Sequence, residues 1–520
     1  MSEAIGREAD RGIEVEPFDD LNRRLVENVH PPSWCNPTPE GPYDLVVVGA
    51  GSGGLVTSLI ASSLGARVAL VERHLMGGDC LNVGCVPSKS LISGARIVHD
   101  ARQATRFGLP ASEAESADFG EVMRRMREIR ARISEEDSAE RYSREFGVDV
   151  HLGPARFEGE GRLAVGERIL EFRRAVIATG ARAVAPPIDG LAEVGYLDNE
   201  SVFELTERPP RLAVIGAGPI GCELAQAFTR LGTRVHLLEL AGRILIREDA
   251  DAAGIVQEAM SSEGVEMILE CEIERVERRA GEKVLHLSHP AGARRELVVD
   301  EILVGAGRAP NVEGLGLEKV GVDYDLRSGV KVDDTLRTTS SRIWAVGDVC
   351  MQWKFTHAAD AAAKIVVQNA LFSLGPFGRK KLSDLVMPWC TYTQPEIAHV
   401  GLSERDAREA GVEIESYSVP IAETNRDVTD GQEAGLVKVH VRKGRDEIVG
   451  ATVVAAHAGE LITQLTLAIQ RRIGLGAFTG IIYPYPTQGE AIKRAAGAYT
   501  RQRLTPWVKR LFRFWLALRR

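Results

Sequence analysis

The stretch Leu45-Val46-Val47-Val48-Gly49-Ala50-Gly51-Ser52-Gly53-Gly54 runs from an apolar strand directly into a glycine-rich turn. A helical pattern follows as far as Leu64, then a second apolar run, Val68-Ala69-Leu70-Val71, that ends in Glu72. This order predicts a βαβ unit carrying a dinucleotide fingerprint. Gly49 permits the tight turn, Gly51 lets backbone approach a pyrophosphate, and Gly54 lets helix meet strand. Glu72, 23 residues after the first glycine, is placed to accept the adenosine ribose hydroxyls. A lone Gly-x-Gly-x-x-Gly says little, but one set between strand and helix with an acid at this distance reads as functional.

The unit recurs 167 residues later, a repeat that appears when the sequence is slid over itself. Ala213-Val214-Ile215-Gly216-Ala217-Gly218-Pro219-Ile220-Gly221 repeats the fingerprint, and Glu239 falls where Glu72 did. Two such units imply two dinucleotides. Only the first is followed directly by paired cysteines, so the economical assignment is FAD on the first unit and a nicotinamide cofactor, NAD(P)H, on the second.

The cysteines lie in Gly77-Gly78-Asp79-Cys80-Leu81-Asn82-Val83-Gly84-Cys85-Val86-Pro87-Ser88-Lys89. An ideal helix would hold residues i and i+5 about 8–9 Å apart on different faces. A disulfide needs Cα atoms roughly 4.4–6.8 Å apart. A bridge between Cys80 and Cys85 therefore requires a break in regular helix. Gly84 relaxes the backbone there, and Pro87 is expected to push Val86 out of helical geometry. The segment reads as a redox-active disulfide beside a flavin. Structural zinc, the rival for close cysteines, commonly takes two close pairs. The other five cysteines, Cys35, Cys222, Cys271, Cys350 and Cys390, stand singly. Two unrelated buried cysteines remain the bland alternative, and no metal site is expected.

Around these motifs the chain divides into an N-terminal arm (1–42), a first nucleotide domain (43–200), a second (201–312), a return to the first (313–386), a C-terminal domain (387–498) and a tail (499–520). Met123 to Arg130 reads as an exposed helix with one apolar face and solvated charges. Thr179 and Gly180 end an apolar strand, and Gly307 ends the corresponding strand of the second domain; both turns suggest close approach of backbone to cofactor. Asp348 follows the strand Ile343-Trp344-Ala345-Val346, where ligands bind in open α/β sheets. From Met387 onward, alternating segments such as Leu436 to Val441 and Ile448 to Val454 predict a separate α+β domain. The fold class is thus α/β, with two Rossmann-like dinucleotide-binding domains and a C-terminal α+β domain, which the family resemblance described below makes the dimerisation domain.

Composition agrees with an enzyme of several domains: 520 residues, 44% hydrophobic and 26% charged. A net charge of −9 argues against a general nucleic-acid binder. Seven cysteines are too few for a secreted disulfide scaffold and point to a reducing cytoplasm. The acidic N-terminus lacks the apolar core of a signal peptide. Its proline-rich part, His30 to Pro39, reads as an extended arm. No apolar run reaches the 18 residues or so that a spanning helix needs.

Taken together, these features resemble the flavin-dependent pyridine nucleotide-disulfide oxidoreductases, among them dihydrolipoamide dehydrogenases, glutathione reductases and mercuric reductases. Gly77 to Lys89 follows the family's active-site run with only Asp79 unusual, and Gly-Ala-Gly, Ala-Thr-Gly, Gly-Arg-x-Pro-Asn and Gly-Asp recur in the family's order. The resemblance covers about residues 43 to 500. It implies a homodimer in which Cys85 is the charge-transfer thiol against the flavin and Cys80 the interchange thiol that meets substrate. Lys89 would lie near the flavin's reactive nitrogen, paired with Glu223, and Asp348 would bind the ribityl chain. A cation near the flavin stabilises its reduced anion.

The C-terminal domain departs from part of the family. Members that exchange dithiols carry His-Pro-x-x-x-Glu, the histidine acting as acid and base across the dimer interface. This sequence has Tyr485 there, with Pro486 and Glu490 retained. A phenol with an ordinary pKa near 10 is a poor proton shuttle beside imidazole. The run Tyr483 to Lys493 resembles mercuric reductases more closely, yet no cysteine follows Cys390 to serve as their terminal metal-binding pair. The leading expectation is a mercuric reductase-like oxidoreductase passing electrons to a soft metal ion, quinone or other small acceptor. A dihydrolipoamide dehydrogenase and a redox-sensing flavoprotein with little turnover are the alternatives. Glu239 favours NADH, with Arg243 and Arg247 close enough in sequence to admit NADPH. The tail, Arg501 to Arg520, holds seven Lys or Arg, no acid, and several aromatics. It reads as a basic amphipathic helix suited to peripheral contact with the inner face of a membrane, or else to packing on the protein's own surface.

Overall fold

The computed structural model describes residues 13, 15–110, 117–375 and 377–519. Its first sheet is built around the strand Tyr43–Val48, whose Val46 pairs in parallel with Ala69 on one side and Ala175 on the other. Seven strands take part. The parallel side runs Asp149–Leu152, Val68–Glu72, Tyr43–Val48 and Arg168–Ile177, with Ile343–Ala345 also parallel to the last. The early half of Arg168–Ile177 instead pairs antiparallel with Arg162–Val165, which pairs with Ala155–Gly159. Strands buried on both faces read as continuous apolar runs, and Leu45, Val46 and Val47 are fully buried.

The second nucleotide unit has its own sheet, in the order Glu266–Ile268, Arg234–Leu238, Arg211–Ile215, Glu301–Val304. It is inserted between Ala181–Ala183 and Arg308–Pro310, short strands that pair with each other where the chain leaves the first domain and returns. The helix Thr356–Val367 then packs on Ser52–Ser63. The C-terminal domain has a five-stranded antiparallel sheet, covered by the helices Ala458–Arg471 and Glu490–Gln502.

The structure adds one element and corrects two local expectations. The N-terminal arm holds a helix that no expectation covered, before the stretch His30 to Pro39: Asp20–Val29 is capped by Asp19, which accepts from the backbone N–H groups of Leu21 and Asn22. Leu25, Val26 and Val29 are buried in the first domain's core. That helix packs on Phe119–Ile133 and covers charges expected to be solvated. Arg130 is 3% exposed and donates to Asn82 O (2.7 Å) and Asn22 Oδ1 (2.6 Å). Arg127 donates to Asp19 at 2.8 Å. The following segment lies along the sheet edge, Asn36 exchanging side-chain hydrogen bonds with both backbone groups of Leu152.

The second correction concerns the break between the cysteines. The helix Gly78–Asn82 stops at Val83, and a new helix, Cys85–Gln103, begins after Gly84. Val86 and Pro87 are both inside that second helix. Pro87 sits in its first turn, where a proline's missing N–H removes no intrahelical bond. Gly84 alone makes the break: a Cβ there would stand 2.7 Å from Asp79 O, closer than any side chain permits.

The tail Pro506–Leu518 is helical and none of its residues is buried. Among the described residues no helix is long and apolar enough to cross a membrane.

Candidate active site

The two glycine turns have matching geometry. Ala50 N donates to Glu72 Oε2 at 2.7 Å, and Ala217 N to Glu239 Oε2 at 2.8 Å. Each acid takes a second backbone N–H through Oε1, from His74 (2.8 Å) and from Ala241 (3.0 Å). A Cβ on Gly54 would fall 1.8 Å from Gly49 O, and one on Gly221 would fall 1.9 Å from Gly216 O. Only glycine lets these helices close on their strands. At Gly218, by contrast, a Cβ would meet nothing within 4 Å, and at Gly51 only Gly78 Cα at 3.7 Å. These positions leave open space before a helix N-terminus, where backbone N–H groups and the helix dipole suit a pyrophosphate. The residues present therefore fit two dinucleotides. Burial pushes the Glu72 carboxyl up, against the hydrogen bonds from Ala50 and His74.

Beyond the first turn, Cys80 and Cys85 are free thiols in hydrogen-bonding contact. Thr356, the first residue of the helix Thr356–Val367, brings its hydroxyl within 3.4 Å of Cys85 Sγ. The Cys80 hydrogen bond, the Thr356 hydroxyl and the Lys89 ammonium pull the Cys85 thiol down to about 6, against burial. The same hydrogen bond, with burial, pushes Cys80 up. The two thiols are thus made unequal, Cys85 favoured as the thiolate and Cys80 as the thiol.

Lys89 lies one turn further along the same helix and donates to Glu223 Oε2 at 2.7 Å. Glu223 comes from Pro219–Arg230, the helix of the second fingerprint, and is 5% exposed. Its other oxygen accepts from Tyr392 N at 2.8 Å, and the Tyr392 ring stands 4.8 Å from Lys89 Nζ. One ion pair therefore joins both nucleotide domains and the C-terminal domain.

Asp348 faces Arg308 (3.5 Å), which also binds Asp79 and donates to Ala181 O at 2.9 Å. The unusual Asp79 is thereby matched by a guanidinium. Burial pushes Asp348 up. Thr179 and Gly180 engage Asn311: the Thr179 hydroxyl donates to Asn311 O at 2.7 Å, and Asn311 N donates to Gly180 O at 3.0 Å. The Thr179 hydroxyl is thus committed to holding two turns together. Gly307 is exposed at the crossing between domains, its carbonyl accepting from Val184 N at 3.2 Å.

Within one chain, Tyr485 and Glu490 are not brought to this centre, as a role across the dimer interface would require. Tyr485 is 70% exposed and its hydroxyl accepts from Asn425 at 2.7 Å. Among the described residues, no hydrogen bond, ion pair or ring contact joins either residue to Cys80, Cys85, Lys89 or Glu223. Arg243, weighed as a phosphate ligand, is spent on its own loop, donating to Leu245 O (2.9 Å) and Glu248 O (2.8 Å). Sequence reading missed Thr356, Tyr392 and Arg308. Arg308 stood in a quoted motif, whereas the other two carried no signal of their own.

Two dinucleotide-type domains meeting at a cysteine pair define a class of nucleotide-dependent redox enzyme, and comparison with known proteins agrees. Residues 43–363 match the model of the pyridine nucleotide-disulphide oxidoreductases and residues 387–496 that family's dimerisation domain. The chain belongs to the pyridine nucleotide-disulphide oxidoreductase family, enzymes that use FAD and NAD(P)H. The dimerisation domain supports a homodimer. A mercuric reductase of Bacillus cereus is 33% identical over 453 residues, 87% of this chain and 71% of the relative. A dihydrolipoyl dehydrogenase of Thermus scotoductus is 33% identical over 473 residues, 88% of this chain and 98% of the relative. Among solved structures, the HOCl-induced flavoprotein disulfide reductase RclA of Escherichia coli, also known as a Cu(II) complex, is similar at TM-score 0.77 and 28% identity, covering 88% of this chain and 99% of that one.

Proposed function

We propose that this enzyme carries electrons from NAD(P)H to the Cys80–Cys85 pair and on to a soft metal ion or another small acceptor. The carrying observation is the setting of the thiol pair, with the Thr356 hydroxyl 3.4 Å from Cys85 Sγ and the Lys89–Glu223 ion pair one turn along the helix, a setting that favours a Cys85 thiolate. The Gly49–Gly54 turn and Asp348 would hold FAD, which when bound would supply the two-electron relay between nicotinamide and sulfur. Gly216–Gly221 would hold the nicotinamide cofactor, with Glu239 accepting from its ribose hydroxyls.

The residues divide the work. Lys89 holds positive charge beside the thiolate, and Glu223 fixes its direction. Cys80, hydrogen-bonded to that thiolate, meets the acceptor. Soft thiolates select soft metal ions, and no proton need then be shuttled to a departing thiol. Tyr485, exposed on the C-terminal domain, serves at the dimer interface where a dithiol enzyme would need imidazole. Mercuric reductase relatives and the Cu(II) complex of RclA support a metal acceptor. The dihydrolipoyl dehydrogenase relative keeps dihydrolipoamide as the second reading, disfavoured by the phenol at 485.

Steady-state assays with Hg²⁺, a quinone and lipoamide, on the native chain and on Tyr485→His, test this. Native turnover should favour Hg²⁺ or the quinone, with lipoamide activity rising only in Tyr485→His. Equal lipoamide activity in the two would refute the argument from the phenol.

The tail belongs to the same proposal. Trp507, Phe514 and Trp515 are each more than half exposed on a helix without acids, a combination that suits the interface of an anionic bilayer. Docking there would place the enzyme peripherally at the inner membrane face. Equal binding to anionic vesicles by the full chain and by a chain ending at Ala498 would exclude it.

A further inference from the structure

A second basic feature lies far from the thiols, in the first nucleotide domain. A cavity of about 450 Å³ opens among Arg173, Arg174, Arg337, Arg342, Arg379 and Trp344. It sits beside Phe172, which pairs with Tyr43, the first residue of the central strand. The glycine turn follows Val48, the last residue of that strand, about 17 Å away at the rise of an extended chain. The cavity is therefore separate from the dinucleotide turn.

Its chemistry is one-sided. Arg173, Arg337 and Arg342 face Asp44 (3.4 Å), Asp333 (3.9 Å) and Glu160 (3.4 Å). Arg174 and Arg379 have no carboxylate partner among the described residues, so five cations stand against three anions. Trp344 supplies an apolar wall, and guanidinium groups donate and never accept, so the arginines favour an occupant rich in acceptors. Asn369 holds the loop that carries Arg379, accepting from Lys380 N and donating to Lys380 O, both at 2.8 Å. That fixing lowers the entropy lost when an anion binds.

We propose that this cavity binds a compact phosphorylated polyanion, a small molecule with several adjoining phosphates. Guanidinium forks match phosphate oxygens bidentately, and the volume suits a small ligand rather than a polymer.

Calorimetric titration with sodium tripolyphosphate tests it, using the full chain with FAD bound and NAD⁺ saturating so that both dinucleotide turns are filled. Orthophosphate and sulfate at matched ionic strength are the controls. We expect saturable binding of one tripolyphosphate per chain that orthophosphate does not match. It should weaken at least about tenfold in Arg174→Gln with Arg379→Gln, with NADH turnover unchanged. A chain ending at Ala498 should bind as the full chain does, separating this cavity from the basic tail. If the first double variant fails to fold, Arg173→Gln with Arg342→Gln, both at exposed positions, gives the same readout. Absence of saturable binding, equal binding in whichever double variant folds, or loss of binding on truncation would overturn the proposal.

Discussion

The turns Gly49–Gly54 and Gly216–Gly221 share their hydrogen bonds to within 0.2 Å, from 2.7 and 2.8 Å at the first acid oxygen to 2.8 and 3.0 Å at the second. They differ in what each delivers to the reaction centre. The first is followed by the broken helix that carries Cys80, Cys85 and Lys89. The second contributes a single side chain, Glu223, from the helix that its own glycines begin. A repeated nucleotide frame is thus turned into a directional device by what lies just beyond each turn, and the ion pair Lys89–Glu223 is where the two halves meet.

The largest effect should come from filling one turn at a time. Gly54→Ala places a methyl group against Gly49 O and should leave FAD content below about a tenth of native. Gly221→Ala should keep its FAD while NADH reduces it poorly; flavin absorbance after purification distinguishes the two. A reversal, with flavin lost from Gly221→Ala, would exchange the assignments. Next comes pH. Cys85 is held down to about 6, so its thiolate persists above that pH and is protonated below it. Iodoacetamide trapping of the reduced enzyme should be level at neutral pH and fall about tenfold per unit below pH 6. In Lys89→Met the midpoint should rise, because an attracting cation is gone. Cys80, shifted the other way, should label slowly throughout.

A smaller effect concerns the acids. With Arg243 committed to backbone carbonyls, Glu239 is the acid expected to set coenzyme choice, and Glu239→Gln should raise kcat/KM for NADPH relative to NADH about tenfold. The corresponding Glu72→Gln should leave that ratio unchanged. Smallest is Tyr392→Leu, which removes a cation–π contact worth roughly 0.5–1 kcal/mol and should lower kcat about threefold with KM unmoved. Tyr392→Phe, which keeps the ring, should restore it.

What could be read from the sequence was local. Gly49 to Glu72, its repeat, and Cys80 to Cys85 carry their chemistry within one βαβ unit or one broken helix, so spacing reveals them. Thr356 and Tyr392 reach the thiols and Lys89 from positions 271 and 303 residues away, through domain packing that no spacing encodes. The burial of Arg127 and Arg130 was hidden for a related reason: charge on one helix face reads as solvated until the helix that covers it is placed. The cap Asp19 and the apolar Leu25, Val26 and Val29 carry the signal of that helix, but the reading of the arm rested on the prolines after His30 and left the stretch before them unassigned. Pro87 was misjudged because a proline in a first turn costs nothing, while Gly84 by itself supplied the break.

The central claim is that NADH electrons reach the sulfurs. Oxidised enzyme with FAD bound, mixed with NADH without oxygen or acceptor, then quenched with iodoacetamide and mapped by mass spectrometry, tests it directly. The account predicts new labelling at Cys85, one fast site per chain with Cys80 following slowly, absent without NADH and absent in Gly54→Ala. Flavin bleaching with no gain of label at either cysteine would contradict it.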